Sequence, residues 1–240
     1  MTEKNQPHVI DNQDHQKPLR TIKSFVQRKG RLTKGQKRAL ALFSDLYLID
    51  YQSDSQLNFD QLFDSVQPVV IEIGFGMGNS LVEMAQQNPQ INYLGIEVHQ
   101  PGIGNILNCI DKNQLTNLKV IRYDAIDVLK QMIPDHSISG FQIFFPDPWH
   151  KKRHHKRRLI QSDFVDLLVT KLVDGGLIHC ATDWQDYAEH MLKVFNENHK
   201  LKNEFGEYAP RPESRPLTKF EKRGERLSHG VWDLIFNKIK

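Results

Sequence analysis

One carboxylate stands at the head of a long run of cations in the middle of the chain. Asp147 follows residues 141–145, a short apolar and aromatic stretch that predicts a buried strand. Pro146 and Pro148 flank it and end that strand, because proline cannot donate to a β-ladder. Residues 150–158 are all Lys, Arg or His. An acid at a strand end beside a block of cations predicts chemistry on a polyanion, with a solvated charged loop as the alternative.

The positive charge of the chain is concentrated in three segments. Residues 17–38 hold nine Lys or Arg and no acid, residues 150–158 hold six and no acid, and residues 211–226 hold six against three acids. Together they carry +18, so the rest of the 240-residue chain carries −15 within its net charge of +3. An acidic body with three basic segments predicts a focused anion-binding face.

A second candidate site is a glycine-rich turn. Residues 69–73 predict a buried strand that leads into Gly74, Gly76 and Gly78. Three glycines there let the backbone approach a ligand closely and leave the next helix N-terminus open. Glu97 ends the following predicted strand, where a carboxylate can bind ribose hydroxyls. The pattern predicts a site for a nucleoside cofactor.

Two further acids help to choose between cofactors. Glu72 lies just ahead of the glycines, where it would repel a pyrophosphate but suits the cationic amino-acid end of S-adenosylmethionine. We therefore favour a methyl-donor site over a dinucleotide site or a plain tight turn. Asp124 ends the third predicted strand, where it either contacts the amine of an adenine or caps the next helix.

Strands and helices alternate from residue 68 onward, which predicts an α/β protein with a doubly wound, mostly parallel sheet. The predicted strands cover residues 69–73, 92–96, 118–122, 139–145, 177–181 and 231–236. One predicted helix follows the glycines, capped by Asn79 or Ser80, and the others cover residues 102–114, 126–132, 161–172 and 184–198.

The N-terminal fifth of the chain differs in composition from the rest. Residues 1–18 are polar and predicted to be disordered. Residues 19–49 predict a basic N-terminal arm that contains a helix capped by Thr33. The apolar face of this helix is expected to dock the arm on the domain through Ala39, Leu40, Leu42, Phe43 and Leu46.

Several other classes of site are disfavoured. Cys109 and Cys180 lie far apart and predict reduced, buried thiols. His150 and His154 have i, i+4 spacing, but six Lys and Arg surround them and we expect no metal. The N-terminus lacks a signal peptide and no apolar run could span a bilayer, so we expect a cytoplasmic protein with no membrane partner. A monomer and a homodimer are both compatible with the sequence.

With these acids and glycines at one predicted sheet edge, the chain resembles the bacterial tRNA (guanine-N7-)-methyltransferases, a class I S-adenosylmethionine-dependent family. The resemblance runs from about residue 20 to the C-terminus. Its most specific blocks are Pro-Asp-Pro-Trp-His-Lys-Lys-Arg at residues 146–153 and Thr-Lys-Phe-Glu at residues 218–221. Further matching blocks lie at residues 31–36, 72–78, 95–102, 181–184 and 215–224.

This resemblance implies methyl transfer from S-adenosylmethionine to N7 of a guanosine in the tRNA variable loop, by a methyltransferase domain at residues 50–240. It implies a cofactor site lined by Glu72, Glu97, Asp124 and Asp147, with Asp147 also the catalytic residue. It implies substrate contacts from Lys151, Asp183, Thr218, Lys219, Phe220 and Glu221. It implies RNA contacts from Arg153, His154, His155, Lys156, Arg157 and Arg158.

The chemistry of guanine agrees with these roles. N7 already presents a lone pair, so catalysis consists mainly of alignment and charge stabilisation. We therefore expect Asp147 to act by positioning and electrostatics rather than as an obligatory base. Trp149 either stacks on an RNA base or packs under the loop. One rival function is an RNA-binding protein with a vestigial cofactor fold, which intact Glu72, Glu97 and Asp147 disfavour. The other is a nicotinamide-dependent dehydrogenase, which the glycine spacing and the basic loops disfavour.

Overall fold

Apolar strands and amphipathic helices alternate along the chain and build one mixed sheet. The computed structural model describes residues 23–25, 30–216, 221 and 230–240. The strands within them are β1 (Leu48–Ile49), β2 (Val69–Ile73), β3 (Asn92–Ile96), β4 (Leu118–Ile121), β5 (Ile138–Phe144), β6 (Leu172–Thr182), β7 (Leu201–Asn203) and β8 (Trp232–Lys238). The helices are α1 (Lys34–Tyr47), α2 (Phe59–Phe63), α3 (Asn79–Gln87), α4 (Gln100–Lys112), α5 (Ala125–Gln131), α6 (Ser162–Lys171) and α7 (Gln185–Asn196), with a 3₁₀ helix at Lys152–Arg157.

The described strands lie in the order β1-β4-β3-β2-β5-β6-β8-β7. All neighbours from β1 to β6 are parallel, whereas β8 pairs antiparallel with β6 and with β7. The order of connection reverses between β2 and β5, which is the switch point of a doubly wound sheet. The predicted α/β fold with a mostly parallel sheet is confirmed.

Helices cover both faces of the sheet and bury its central strands. Helices α1, α3 and α4 pack on one face and α2, α5, α6 and α7 on the other. Every residue of β3 is buried, as expected for a strand covered on both sides. Two short strands, β1 and β7, were not predicted, because two or three residues show no readable periodicity.

The helix of the N-terminal arm begins where the sequence predicts. The Thr33 hydroxyl accepts from the Gln36 amide at 3.2 Å, and the Gln36 side chain accepts from the Thr33 amide at 2.9 Å, which forms a capping box. Ala39 is buried against α4. The expected docking of Leu42 and Leu46 is wrong, since these side chains are 53% and 56% exposed.

The docking stripe of α1 is narrower than its apolar composition suggests. Leu40, Phe43 and Tyr47 pack beside Ala39 at helical spacing, and Leu42 and Leu46 lie off that stripe. The prediction of disorder for residues 1–18 falls outside the described residues.

Helix α4 approaches the glycine turn so closely that glycine is needed at Gly102. A Cβ atom there would overlap the Gly76 carbonyl oxygen, which is backbone and has no room to move aside. The sheet, the turn and α4 are therefore packed as one unit.

We expect Gly102→Ala to reduce the free energy of unfolding by about 1–3 kcal/mol, the usual cost of overpacking a close contact. Gly35→Ala, in the first turn of α1, is the matched control because a Cβ atom there meets only the Thr33 hydroxyl, at 4.0 Å. That control should be neutral or stabilise by up to about 1 kcal/mol. Urea unfolding of both variants measures the difference, and equal midpoints would contradict the close packing.

Candidate active site

Five adjacent parallel strands end at one edge of the sheet, and each brings an acid to it. Glu72 is the fourth of the five residues of β2, and Glu97 and Asp124 follow β3 and β4. Asp147 and Asp183 follow β5 and β6. The five acids chosen from the sequence therefore share the edge at which open α/β sheets bind ligands.

The glycine turn adopts a backbone that other residues rarely reach. Gly74, Gly76 and Gly78 have φ values of 78°, 61° and 76°. A Cβ atom at Gly74 or Gly76 would meet nothing within 4 Å, so the turn faces open space. The predicted side-chain cap of α3 is wrong: Gly78 is the N-cap and makes no side-chain cap bond, because the turn runs directly into the helix.

Glu97 holds the glycine turn and the start of α4 together. One carboxylate oxygen accepts from the Gly76 amide at 2.8 Å, and the other accepts from the Val98 and His99 amides at 2.7 and 2.9 Å. This structural role was not visible in the sequence, since all three donors are backbone groups. The predicted ribose contact of Glu97 stays a prediction.

Glu72 is the most strongly perturbed carboxyl group of the site. It is 3% exposed, and its Oε2 has no hydrogen-bond partner within the described parts of the chain. Burial, helped by the charge of Glu97, raises the pKa of Glu72 to about 8. Gln142, its neighbour on β5, also has a buried oxygen that meets no partner in the part of the chain that the structure describes. Two buried acceptors side by side favour a cationic or hydrogen-bond-donating ligand group.

Asp124 combines a cap with an ion pair. Its Oδ1 accepts from the Ile126 amide at 3.1 Å, so it caps α5 as one of the two alternatives proposed. Its Oδ2 lies 3.6 Å from Lys23 Nζ of the N-terminal arm. The predicted contact with an adenine amine is left as a prediction.

Asp147 is presented on an exposed loop directly after β5. Phe145 has a φ of 52° and donates its amide to the Ala181 carbonyl at 2.7 Å, which turns the chain away from the sheet. The Asp147 side chain is exposed, and its Oδ1 accepts from the Trp149 amide at 3.1 Å. The carboxylate is thus oriented by its own loop and accessible to a substrate.

Trp149 packs under the loop rather than projecting from it. Its indole Nε1 donates to the Ser24 carbonyl at 3.0 Å, and the Arg157 guanidinium lies 3.9 Å from its ring centroid. Arg157 also donates to the carbonyls of Lys23 and Phe25. The predicted RNA contact of Arg157 therefore competes with its contacts to the N-terminal arm.

Arg158 is buried, which conflicts with its predicted contact to RNA. It is 3% exposed, donates to the Pro148 carbonyl at 2.9 Å, and hydrogen-bonds Asp186. That hydrogen bond also holds the pKa of Asp186 below its usual range. A run of cations in a sequence gives no direction for each side chain, so this inward-facing arginine was not distinguishable. It anchors the Asp147 loop to α7.

The other predicted RNA contacts lie on the surface of the loop. Arg153 and Lys156 are exposed, and His154 and His155 are half-buried. Lys151, a predicted substrate contact, is exposed beside them. Asp183 is half-buried, and the next residue, Trp184, is 36% exposed with its ring centroid 4.2 Å from that of His150. The exposed Trp184 was not selected from the sequence.

The C-terminal substrate block is described only at Glu221. Thr218, Lys219 and Phe220 lie outside the described residues, so their predicted substrate contacts stay predictions. Glu221 is 3% exposed and is paired with Arg215 through two hydrogen bonds of 2.8 Å. Arg215, Asp233 and His179 form a buried polar cluster behind it that the sequence did not reveal, since nothing in a pattern marks a charged residue as buried.

No metal cluster or membrane span is found in the described parts of the chain. No three His, Cys, Asp or Glu side chains within residues 23–25, 30–216, 221 and 230–240 are grouped so as to hold a metal ion. None of the described helices is long and apolar enough to cross a bilayer.

Comparisons with known proteins identify the family of this chain. A family model described as "Putative methyltransferase" matches residues 66–234. A tRNA (guanine-N(7)-)-methyltransferase of Legionella pneumophila strain Corby is 55% identical over 222 residues, which cover 91% of this chain and 99% of that protein. One of Salmonella typhimurium strain LT2 is 53% identical over 226 residues, covering 93% and 94%. The chain belongs to the tRNA (guanine-N(7)-)-methyltransferase family.

The fold of this tRNA (guanine-N(7)-)-methyltransferase family member is similar to that of a solved structure. The structure described as 16S rRNA methyltransferase KamB matches with a TM-score of 0.59 at 15% identity, covering 81% of this chain and 99% of that one. At this identity the match shows a shared fold alone.

The residues at the sheet edge fit the S-adenosylmethionine used by this methyltransferase family. The Glu72 oxygen that has no partner among the described residues suits the cationic amino-acid end of the cofactor. The open faces of Gly74 and Gly76 leave room for close approach. Glu97 and Asp124 would hold the ribose and the adenine. The donor set is acidic, which matches a cofactor that carries positive charge.

We expect the raised pKa of Glu72 to make stability fall with pH. Its folded-state pKa of about 8 lies above the ordinary value of 4.5, so its contribution is fully present below about pH 4.5 and is lost as pH rises to about 8. Glu72→Gln removes this dependence. The free energy of unfolding of the variant should therefore rise relative to that of the wild type by on the order of 1 kcal/mol per pH unit across that window.

Thermal unfolding at pH 5.5, 6.5 and 7.5 measures this gain. Glu83→Gln, at an exposed position of α3, is the control, and its stability should change with pH as that of the wild type does. A pH-independent offset between Glu72→Gln and the wild type would refute a raised pKa at Glu72.

Proposed function

We propose that this chain methylates N7 of a guanosine in the variable loop of cytoplasmic tRNA, with Asp147 as the catalytic residue. The family supplies the reaction, which is methyl transfer from S-adenosylmethionine to guanine N7 in tRNA. The observation that carries the assignment of the site is the buried carboxyl of Glu72, whose Oε2 has no hydrogen-bond partner among the described residues. It lies just before the open glycine turn, at the edge that also presents Asp147.

The reaction needs alignment and charge stabilisation rather than proton removal. When bound, S-adenosylmethionine supplies an electrophilic methyl group. Guanine N7 carries a lone pair in the plane of its ring, so no side chain has to deprotonate it first. The purine would gain positive charge as N7 bonds to the methyl carbon, and the sulfur of the donor would keep the electron pair of the broken carbon–sulfur bond. The Asp147 carboxylate, oriented by the Trp149 amide, stabilises that charge.

The base would be held by acids as well as by cations. Guanine presents N–H donors on the edge opposite N7, and a carboxylate is an acceptor for them. Asp183 lies at the end of β6, next to the strand that leads to Asp147. We assign Asp183 to the base and Lys151 to the adjoining phosphate, which leaves Asp147 for the charge that develops at N7.

The exposed side of the cationic loop would bind the tRNA backbone. Lys152, Arg153 and Lys156 are exposed on the 3₁₀ helix, whereas Arg157 and Arg158 are engaged in internal contacts. Phosphate contacts of this kind set affinity and orientation without reading sequence. We therefore place the choice of guanosine in the shape of tRNA rather than in base-specific contacts of this loop.

The deciding experiment is methylation of unfractionated tRNA with labelled S-adenosylmethionine, followed by nucleoside analysis. Label in 7-methylguanosine, mapped to the variable loop, supports the proposal. An RNA-binding protein with a vestigial cofactor fold would bind the tRNA and transfer no label. Label at another nucleoside or in another loop would refute the assigned position.

Asp147→Asn preserves shape and removes the charge, so its effect should fall on the chemical step. We expect kcat to fall by at least about a hundredfold, equivalent to about 2.7 kcal/mol, with little change in tRNA affinity. Lys151→Ala should instead raise KM for tRNA with a smaller loss of kcat. Single-turnover rates and filter binding separate the two effects, and an Asp147→Asn enzyme that reacts at the wild-type rate would exclude catalysis by Asp147.

Neutralising Lys152, Arg153 and Lys156 should flatten the salt dependence of tRNA binding. Removing one phosphate-binding cation lowers the slope of log K against log salt by roughly 0.7–0.9. Lys112 and Lys130 are the control pair, because both are exposed in the last turns of α4 and α5, near the opposite edge of the sheet. If loop and control variants give the same slope, the cationic loop does not bind phosphates.

A further inference from the structure

A buried arginine joins Glu221 to the sheet. Arg215 is 1% exposed, and its two terminal nitrogens donate to the two oxygens of Glu221 at 2.8 Å each. The same guanidinium donates to Asp233 of β8, from Nε at 2.8 Å and from Nη2 at 3.0 Å. One planar cation thus bridges two buried carboxylates, a geometry that the fork of arginine permits and the point charge of lysine does not.

The bridge is extended into β6 by His179. Its Nε2 lies 2.6 Å from Asp233 Oδ1, and both residues are buried. Burial pushes the pKa of Asp233 up, but the hydrogen bond from His179 and the charge of Arg215 outweigh it and hold the pKa below its usual range. Asp233 is therefore ionised, and His179 is the donor in their hydrogen bond. Arg215 is consequently tied to both β6 and β8.

The same guanidinium lies beside the strand end that carries Asp147. Its carbon is 5.9 Å from the ring centroids of both Phe144 and Phe145, the last residue of β5 and the residue after it. His179 packs edge-on against the ring of Phe144 at 4.9 Å. Asp147 follows Phe145 by two residues, so the cluster supports the chain just before the catalytic loop.

Stability alone does not account for such a cluster. A buried ion pair is often no more stabilising than apolar residues of similar volume, because removing charges from water is costly. Its distinctive property is fixed geometry, since each hydrogen bond restricts direction as well as distance. Arg211 adds to this by donating to the Arg215 carbonyl at 2.6 Å and to Glu221 at 3.1 Å.

We propose that Arg215 is a positioning residue for methyl transfer, which fixes Glu221 relative to the strand end that carries Asp147. Arg215 acts through these two acids and does not itself touch the substrate. The inference rests on the proposed function, in which Asp147 is catalytic and Glu221 belongs to the substrate site. Weakening the hydrogen bonds of Arg215 should therefore slow the chemical step while leaving intact the part of the cofactor site at the ends of β2, β3 and β4, which carries Glu72, Glu97 and Asp124.

The test uses Arg215→Lys, Glu221→Gln and Asp147→Asn in the full chain, singly and in pairs. Arg215→Lys keeps the charge but cannot pair with both carboxylates at once, and we expect its single-turnover rate to fall by at least about tenfold. Its affinity for S-adenosylhomocysteine, measured by calorimetry, should stay within about twofold of wild type. Each double variant should be no slower than the slower of its two single variants, because both substitutions disrupt the same coupled set of residues.

Two further variants separate positioning from loss of stability. Lys171→Gln breaks the ion pair, 2.6 Å long, between the buried Lys171 and the exposed Asp135 at the other end of the sheet. It should lower stability without changing the rate. Asp233→Asn weakens the hold on Arg215 from β8 and substitutes for Arg215→Lys if that variant does not fold. It should show the same slow rate and unchanged cofactor affinity.

The outcomes distinguish this inference from the proposed function. A wild-type rate in Arg215→Lys or Asp233→Asn, or double variants whose losses multiply, would overturn the positioning role. If Glu221→Gln and Asp147→Asn also methylate tRNA at the wild-type rate, the proposed site itself fails. The inference is supported if Arg215→Lys methylates tRNA slowly, if the losses in the double variants are not additive, and if Lys171→Gln keeps the wild-type rate.

Discussion

The burial of one carboxyl group, Glu72, sets the conditions for the rest of this site. Inside a central strand it is desolvated and lacks a hydrogen-bond partner for one oxygen among the described residues, a costly state for an acid. The sheet tolerates it because β2 is covered on both faces and flanked by parallel neighbours on both sides. The glycine turn above it opens the strand end, and Glu97 holds that turn in place. The cost of burying Glu72 is offset elsewhere in the fold, and the result is a site prepared for a cationic ligand.

Cations near the site divide into two groups that the sequence presents as one. Arg157 and Arg158 direct their guanidinium groups to internal carbonyls and acids, whereas Lys152, Arg153 and Lys156 face solvent. The first group builds the loop and the second is available to meet phosphate. A loop made of cations alone would repel itself, and the acid Asp186 and the carbonyl groups of the chain relieve part of that repulsion.

The main strands and the edge they share follow from the sequence, because buried parallel strands are continuous apolar runs and acids that interrupt their ends are conspicuous. The sequence does not show in which direction a single side chain points or whether a charged side chain is buried. The apolar pattern predicts that Leu42 docks α1, but its side chain is exposed. The sequence predicts Asn79 as a cap of α3, but Gly78 of the glycine turn is the N-cap. Nothing in the sequence distinguishes Arg158 and Arg215 from surface cations. Both are buried because they form ion pairs with acids that are distant in sequence, Asp186 and Asp233. Long-range pairs of this kind leave no periodic trace.

Two buried arginines lie on either side of the Asp147 loop, and this explains how an exposed acid can be accurately placed. Arg215 lies beside the ring of Phe145, which precedes Asp147, and Arg158 holds the Pro148 carbonyl, which follows it. Each guanidinium is in turn bound by a carboxylate from another element. Asp147 itself is left exposed, since the rigidity comes from its neighbours. Reactions that depend on alignment rather than proton transfer need this arrangement most, because a misplaced carboxylate loses the charge stabilisation it was there to provide.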